Sequence, residues 1–499
     1  MPLPHEAAKS AQPAATGQSA AAGQSAAAGR LLVVGGGITG LAAARAGLDA
    51  GLAVILLEAG HGYGGKLALG HVAGSAVDLG AESILARRPE GVRLAKDVGL
   101  GEDLVHPATT AAGVWSRGEL HPLPAGQLMG VPGDLRALGA SGVLGSRGLA
   151  RVQADRVMPK TPVTEDVAVG EYVARRLGRE VVDRLVEPLL GGVYAGHADR
   201  LSLRATVPQL APLAAAGTPL TTGVRELLAR GAATASAAGE PAKPVFAGIR
   251  GGVGRLPGAV AADVARRGAE LRTDTAVRAL RRTADGWRAE LSDGGFADAE
   301  FVVLAVPAFV ARTLLAELAP GAAAELFEIE YASMAITTFA FHRSAFAAVP
   351  PGSGFLVPPV DGRAIKAATF SSVKWPWLAH SAGELVVLRA SLGRHGEAEI
   401  LERDDDELAK AALADLAEAV GLTAAPVDRH VQRWTEALPQ YAVGHLDRVA
   451  RIRGALPAGL AVAGAAYDGV GIPACVASAE TAVRAVRGGA TPSEGNEQP

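Results

Sequence analysis

Residues 31–66, LLVVGGGITGLAAARAGLDAGLAVILLEAGHGYGGK, constrain this chain more than any other stretch. An apolar run, 31–34, leads directly into Gly35-Gly36-Gly37-Ile38-Thr39-Gly40. An Ala/Leu-rich segment follows, then a second apolar run, Ala53–Leu57, that closes on Glu58. Strand, glycine turn, helix, strand and terminal acid is the order of a βαβ unit that holds a dinucleotide. Gly35 allows the tight turn, Gly37 lets the backbone approach a diphosphate with no Cβ in the way, and Gly40 lets the helix pack close to the sheet. The helix start offers N–H groups and the positive end of its dipole to that diphosphate. Glu58, 18 residues past Gly40, stands where a carboxylate accepts hydrogen bonds from ribose hydroxyls. The same charge repels a 2′-phosphate, which disfavours NADP.

A glycine turn alone is a weak signal, and it is the register of all these parts that points to an ADP-bearing dinucleotide. Gly64-Gly65-Lys66 adds a glycine doublet on the loop leaving the second strand. A second close backbone approach suits a cofactor longer than a mononucleotide. The run E-A-(x4)-G-G-K, beginning at Glu58 and Ala59, resembles the two-dinucleotide-binding-domain flavoproteins, a class that includes amine oxidases, carotenoid desaturases and protoporphyrinogen oxidases.

A chain of 499 residues is long enough for two or three domains and a large core. Its net charge of -3 gives no electrostatic case for nucleic acid. Hydrophobic residues make up 49% but aromatics only 4%, so the apolar character comes from small side chains. No apolar stretch reaches the roughly 18 residues that span a bilayer; the longest, 301–311, contains Pro307 and stops at Arg312. Peripheral membrane contact remains compatible with this. The first 30 residues lack the basic and continuous apolar regions of a secretory signal and read as a small-residue tail. The single cysteine, Cys475, excludes an internal disulfide and fits a reducing cytoplasm. It reads as a small buried hydrophobe rather than a covalent cofactor anchor, so the cofactor is expected to be held non-covalently. No His/Cys cluster has metal-ligand spacing.

The expected fold is α/β: a Rossmann-like cofactor domain, a mixed β-sheet substrate domain and a helical insertion. The cofactor domain is expected to be discontinuous, from 30–84, 246–308 and 430–487. A helical insertion would occupy 85–245 and the substrate domain 309–429, with tails at 1–29 and 488–499. Within 67–79 the alternation of apolar and small residues suggests a hairpin, leading to Gly80-Ala81-Glu82-Ser83. Small residues there suit a loop passing over a flavin, and equally an ordinary strand-to-helix turn. A helix is expected over 169–187, ended or kinked by Pro188, then a small-residue turn at 191–196. The Ala/Gly/Pro-rich span 214–244 reads as a poorly ordered connection, and 270–281 as one strand. Near the end, 459–464 reads as a strand, followed by a glycine turn through Val470-Gly471-Ile472 and a final helix. That helix start would stabilise negative charge on a reduced flavin.

GGGITG, EA-(x4)-GGK, DLGAES, LHPLPAG, EPLLGGVYAG, RWTEALPQY and GAAYDGVGIPACVASAE, spread over 35–480, together resemble the HemY-type porphyrinogen oxidases of haem biosynthesis. The resemblance implies FAD held by Gly35, Gly36, Gly37, Ile38, Thr39, Gly40, Glu58, Ala59, Gly64, Gly65 and Lys66. It further implies Gly80, Ala81, Glu82, Ser83, the backbone of Val277 at the adenine edge, Trp434, Val470, Gly471 and Ile472. It implies six-electron oxidation of a porphyrinogen, with oxygen as acceptor and hydrogen peroxide released. Coproporphyrinogen III is favoured over protoporphyrinogen IX, and product transfer to a downstream ferrochelatase is compatible with either. Eukaryotic members carry a propionate-binding arginine shortly before the LH-P motif, but 110–115 (TAAGVW) has no basic residue. Arg87 and Arg88 could replace it, though both also suit solvated positions opening a helix. No catalytic acid or base is assigned, because His197, His395 and His445 read as structural. An amine oxidase or carotenoid desaturase on the same scaffold is the competing reading; few aromatics are present to build an amine cage.

Overall fold

The computed structural model describes residues 29–237 and 244–488, so nearly all of both expected tails lies outside the described residues. Five parallel strands form one sheet, in the order Glu270–Arg272, Ala53–Leu57, Arg30–Val34, Phe301–Leu304 and Leu460–Val462. Along the Arg30–Val34 strand, Leu31 and Val33 enter one apolar cluster while Leu32 and Val34 enter another. The first cluster is closed by helices Ile38–Asp49, Arg255–Arg266 and Ile472–Val486. An antiparallel sheet of Val277–Arg282, Trp287–Leu291 and Phe296–Ala299 closes the second, with helices Ala308–Leu315 and Pro320–Phe327. Burial on both faces explains why the four strands other than Glu270–Arg272 read as continuous apolar runs.

A second sheet has seven strands, in the order Asp428–Pro439, Tyr331–His342, Leu385–Leu392, Ile365–Thr369, Gly354–Leu356, Gly113–Ser116 and Glu119–Pro122. One face, through Ala335, Phe339 and Phe341, packs on Leu408, Ala412 and Leu416 of helix Asp405–Val420. That helix starts in a capping box, with the Asp404 carboxylate accepting from the Glu407 N–H at 2.8 Å. Ala340 and Val387 point the other way, to Val72, Val77 and Leu79 of the hairpin formed by Leu69–Val72 and Ser75–Asp78. This contact seats the second sheet against the dinucleotide unit. A helical region, with Tyr172, Leu177, Leu185, Leu190 and Val224 in its core, leans on the same sheet through Val114.

The structure departs from the sequence reading where long-range packing overrides local pattern. The helix expected over 169–187 breaks at Gly178, whose φ of +93° suits glycine. Pro188 does not end it. A widened turn, Val182–Val186, precedes that residue, and helix Glu187–Tyr194 runs through it. The expected turn at 191–196 is therefore helical to Tyr194 and reverses at Ala195, φ +49°. The expected loose connection at 214–244 contains the 18-residue helix Leu220–Ala237, anchored by Leu220 and Val224 at 0% exposure; residues 238–243 lie outside the described residues. The expected strand 270–281 is two strands in different sheets, separated by a turn with Asp274 at φ +52°. Residues 113–122, expected within the helical insertion, supply two strands of the seven-stranded sheet. The Asp428–Pro439 strand, expected from 430 to belong with the cofactor segments, is the edge of that same sheet.

Candidate active site

The site begins at the turn after the first strand. Gly35, at φ +105°, donates its N–H to the Leu57 carbonyl at 2.8 Å, and a Cβ there would lie 2.6 Å from the Ala305 carbonyl oxygen. A Cβ on Gly40 would lie 1.8 Å from the Gly35 oxygen. At Gly37 it would meet nothing within 4 Å. Gly37 is also the N-cap of helix Ile38–Asp49, which no side chain caps, so the first-turn amides of Ile38, Thr39 and Gly40 are left for an external anion. Two of the three glycines are fixed by the fold and the third opens onto space, which is what a diphosphate cradle requires.

Glu58 accepts from the Gly36 N–H at 2.6 Å and the Gly60 N–H at 2.7 Å. These contacts aim the carboxylate while leaving it lone pairs for ribose hydroxyls. Ala59 continues the same loop and is exposed. The Gly64 N–H donates to the Gly36 carbonyl at 2.9 Å, and Gly37 and Gly64 form an isolated parallel bridge. The glycine doublet thus joins the first turn. Thr275 donates its N–H to the Glu58 carbonyl at 2.8 Å, bringing Val277 alongside the acid at the start of its strand. Lys66 is exposed, while desolvation of its amine lowers its pKa and Cys475 acts against that shift. Gly65 is nearly as open as Gly37, the nearest atom to its Cβ position being the Gly37 Cα at 3.5 Å.

Of the remaining predicted segments, Ile472 reaches the first glycine turn and its helix, while the 80–83 loop meets Lys66. Ile472 opens the final helix behind Gly471 and shares an apolar cluster with Ile38 and Leu41, while Val470 packs on the helical region. Gly464, at φ +124°, comes up to the Thr39 hydroxyl. Gly80 sits where a Cβ would lie 1.9 Å from the Lys66 carbonyl oxygen and 3.4 Å from the Trp434 ring. The Trp434 indole Nε1 donates to the Leu79 carbonyl at 2.9 Å. Although Trp434 belongs to the seven-stranded sheet, it reaches the loop at Gly80.

Glu82 carries the densest contacts of that loop. Lys374 Nζ donates to its Oε1 at 2.6 Å and Arg389 Nη1 to its Oε2 at 2.8 Å, with the Ser371 hydroxyl at 3.3 Å. Burial pushes the Glu82 pKa up, but Lys374 and Arg389 outweigh it and hold the carboxyl down at about 2. Asp78 accepts from the Val253 and Gly254 N–H groups at 3.1 and 2.8 Å; burial dominates there and raises its pKa to about 6. Sequence reasoning missed Lys374, Arg389 and Asp78. Lys374 and Arg389 are 292 and 307 positions from Glu82, and no local pattern encodes such a pairing.

Arg88 is the N-cap residue of helix Pro89–Ala95 and pairs with Glu90 at 2.8 Å, while Arg87 is exposed. His197 lies 2.8 Å from Glu187, whose hydrogen bond raises its pKa. His395 stands beside Arg200 and Glu330. His445 is fully buried and stacks on Tyr441 with ring centroids 4.0 Å apart. Cys475 is buried at the start of the final helix, and burial raises its thiol pKa. Among the described residues no group of three or more His, Cys, Asp and Glu is placed to hold a metal, and no helix is long and apolar enough to cross a membrane.

Residues 38–487 match the family described as flavin containing amine oxidoreductase. The coproporphyrinogen III oxidase of Mycobacterium tuberculosis is 37% identical over 459 residues, covering 91% of this chain and 96% of that protein. The coproporphyrinogen III oxidase of Bacillus subtilis is 32% identical over 463 residues, covering 91% and 97%. A solved structure from Exiguobacterium sp. 255-15 has a TM-score of 0.79 at 34% identity and covers 92% of this chain and 98% of that one.

Proposed function

The chain belongs to the flavin-containing amine oxidoreductase family, and from that premise we propose that it is an FAD-dependent oxidase converting coproporphyrinogen III to coproporphyrin III in haem biosynthesis. The observation that carries the cofactor is the open cradle at Gly37, with Glu58 aimed by two backbone amides beside it. The substrate reading is supported by relatives named coproporphyrinogen III oxidase that match nearly end to end.

Conversion removes six electrons and six hydrogens from the porphyrinogen, and three oxygen molecules take them up as three hydrogen peroxides. When bound, FAD supplies the two-electron acceptor for each of the three steps. The chain's own residues bind, orient and exclude water. Gly37 and the first-turn amides of residues 38–40 would hold the diphosphate, and Glu58 the ribose. The backbone near Val277 would serve the adenine. Residues 64–66, 80–83, Trp434 and the 470–472 turn would hold the rest of the cofactor. The helix start after Gly471 would favour negative charge on the reduced ring through its positive dipole end. Arg87 and Arg88 are candidates for a substrate carboxylate at the cleft's edge. We place the reaction in the cytoplasm, with the porphyrin passed to a downstream ferrochelatase.

The FAD-loaded protein should consume oxygen with coproporphyrinogen III, about three molecules per porphyrin formed, and leave an amine and a polyene untouched. Oxygen uptake driven by an amine instead would replace this assignment.

A further inference from the structure

Outside the glycine cradle, one buried group of charges ties the substrate-side sheet to the cofactor side. Lys374 ends helix Ser371–Lys374, and Arg389 lies on strand Leu385–Leu392 of the seven-stranded sheet. Gly80, Glu82 and Ser83 belong to the loop leaving the hairpin of the dinucleotide unit. Lys374 Nζ spans the Glu82 carboxylate at 2.6 Å and the Ser83 hydroxyl at 2.9 Å. Arg389 spans the other Glu82 oxygen at 2.8 Å and the Gly80 carbonyl at 2.6 Å. Each cation grips the loop at two points, and Glu82 is gripped by both. The Lys374, Arg389 and Glu82 side chains are 15%, 9% and 12% exposed, so these charge-assisted contacts act in a weakly screened setting.

The other side-chain hydrogen bonds to Glu82 are longer, from the Ser371 hydroxyl at 3.3 Å and Trp375 Nε1 at 3.4 Å. Ala81 is exposed, and Gly80 offers no side chain to pack. Short segments with few apolar contacts open at low free energy unless polar contacts hold them. We propose that Lys374 and Arg389 are positioning residues, which clamp the loop 80–83 in the shape the flavin requires and so let the substrate-side sheet set the cofactor's seat. This rests on the reading of that loop as part of the FAD site. A purely structural ion pair would affect folding stability alone. A clamp makes a narrower demand: the loop must loosen, and FAD affinity must fall with it.

The test uses the full chain with Lys374→Met, Lys374→Arg, Arg389→Met and Ser83→Ala. Two quantities are read: amide hydrogen exchange at residues 81–83 in FAD-free protein, and the FAD dissociation constant from flavin fluorescence. Lys374→Met and Arg389→Met should each speed exchange and weaken FAD binding by about tenfold or more. Ser83→Ala uncovers no buried charge and should move both quantities the same way by a smaller factor. Lys374→Arg should restore both to within about threefold of the parent. Asp155→Ala, which breaks a buried ion pair in the helical region, should lower the unfolding temperature without altering loop exchange. Unchanged exchange and FAD affinity in Lys374→Met or Ser83→Ala, with only thermal stability lowered, overturns the clamp. If Lys374→Met does not fold, Arg389→Met and Ser83→Ala make the same comparison. An unsubstituted chain that binds no FAD would contradict the cofactor assignment instead, so the two failures are told apart.

Discussion

Gly37 and Gly40 are three residues apart, yet an added methyl group would have opposite consequences at the two. At Gly40 it would collide with the Gly35 carbonyl oxygen, and at Gly37 it would enter open space. Gly40→Ala should therefore destabilise the fold by about 3 kcal/mol or more. Gly37→Ala should keep the parent's unfolding temperature in FAD-free protein and weaken FAD binding by about tenfold or more. Thermal unfolding with and without FAD checks both. His445 supplies a pH test. Burial is the main cause, aided by the Arg448 charge, that lowers its pKa from 6.5 to about 4. The unfolded chain takes up a proton that the folded one refuses, so stability is lost as pH falls from about 6.5 towards 4. His445→Phe keeps the ring on Tyr441 and should lose about 3 kcal/mol less over that range. Asp78 acts oppositely, since its raised pKa makes stability fall as pH rises from 3.8 to about 6. The difference between variant and parent isolates His445. The glycines and Glu58 were legible because chemistry demands those residue types at those spacings. The partners of Glu82 were not, because only the folded chain brings them within reach.

Element identity was legible where turn residues bounded a short apolar run or opened a helix. The strands Arg30–Val34, Ala53–Leu57 and Leu460–Val462 and the helix Ile472–Val486 have the type and place that their patterns suggest. Helix Leu220–Ala237 was hidden by its own composition. Alanine is both the strongest helix former and the commonest residue of a low-complexity stretch, so propensity there competes with the appearance of a linker. The break at Gly178 was equally hidden, because a glycine inside an amphipathic pattern is tolerated as often as it breaks a helix. The helical region depends on a long-range buried pair. Arg176 Nε donates to Asp155 Oδ1 at 2.8 Å, and the other Asp155 oxygen accepts from the Thr221 N–H at 3.0 Å. Asp155→Ala leaves a buried guanidinium without its counter-ion and should cost about 3–5 kcal/mol. Chemical denaturation measures it; a loss below about 1 kcal/mol would mean that the region relaxes around the charge.

On the scale of the whole molecule, the proposed cofactor seat draws on both ends and the middle of the chain. The first glycine turn, the 64–66 doublet, the strand at Val277 and the turn before the final helix belong to the dinucleotide side. Trp434, Lys374 and Arg389 reach in from the second sheet. Sequence pattern could pick out the glycine turns and the doublet, since each carries its own signature, but it ran the strand at Val277 together with Glu270–Arg272. It misplaced the strand bearing Trp434, because membership of a sheet is decided by pairing partners that lie far away in sequence. The account as a whole stands on the substrate. The most direct measurement is porphyrin fluorescence from FAD-loaded protein supplied with coproporphyrinogen III and protoporphyrinogen IX side by side. A kcat/KM for coproporphyrinogen III at least about tenfold higher is the predicted result, and faster turnover of protoporphyrinogen IX would contradict it.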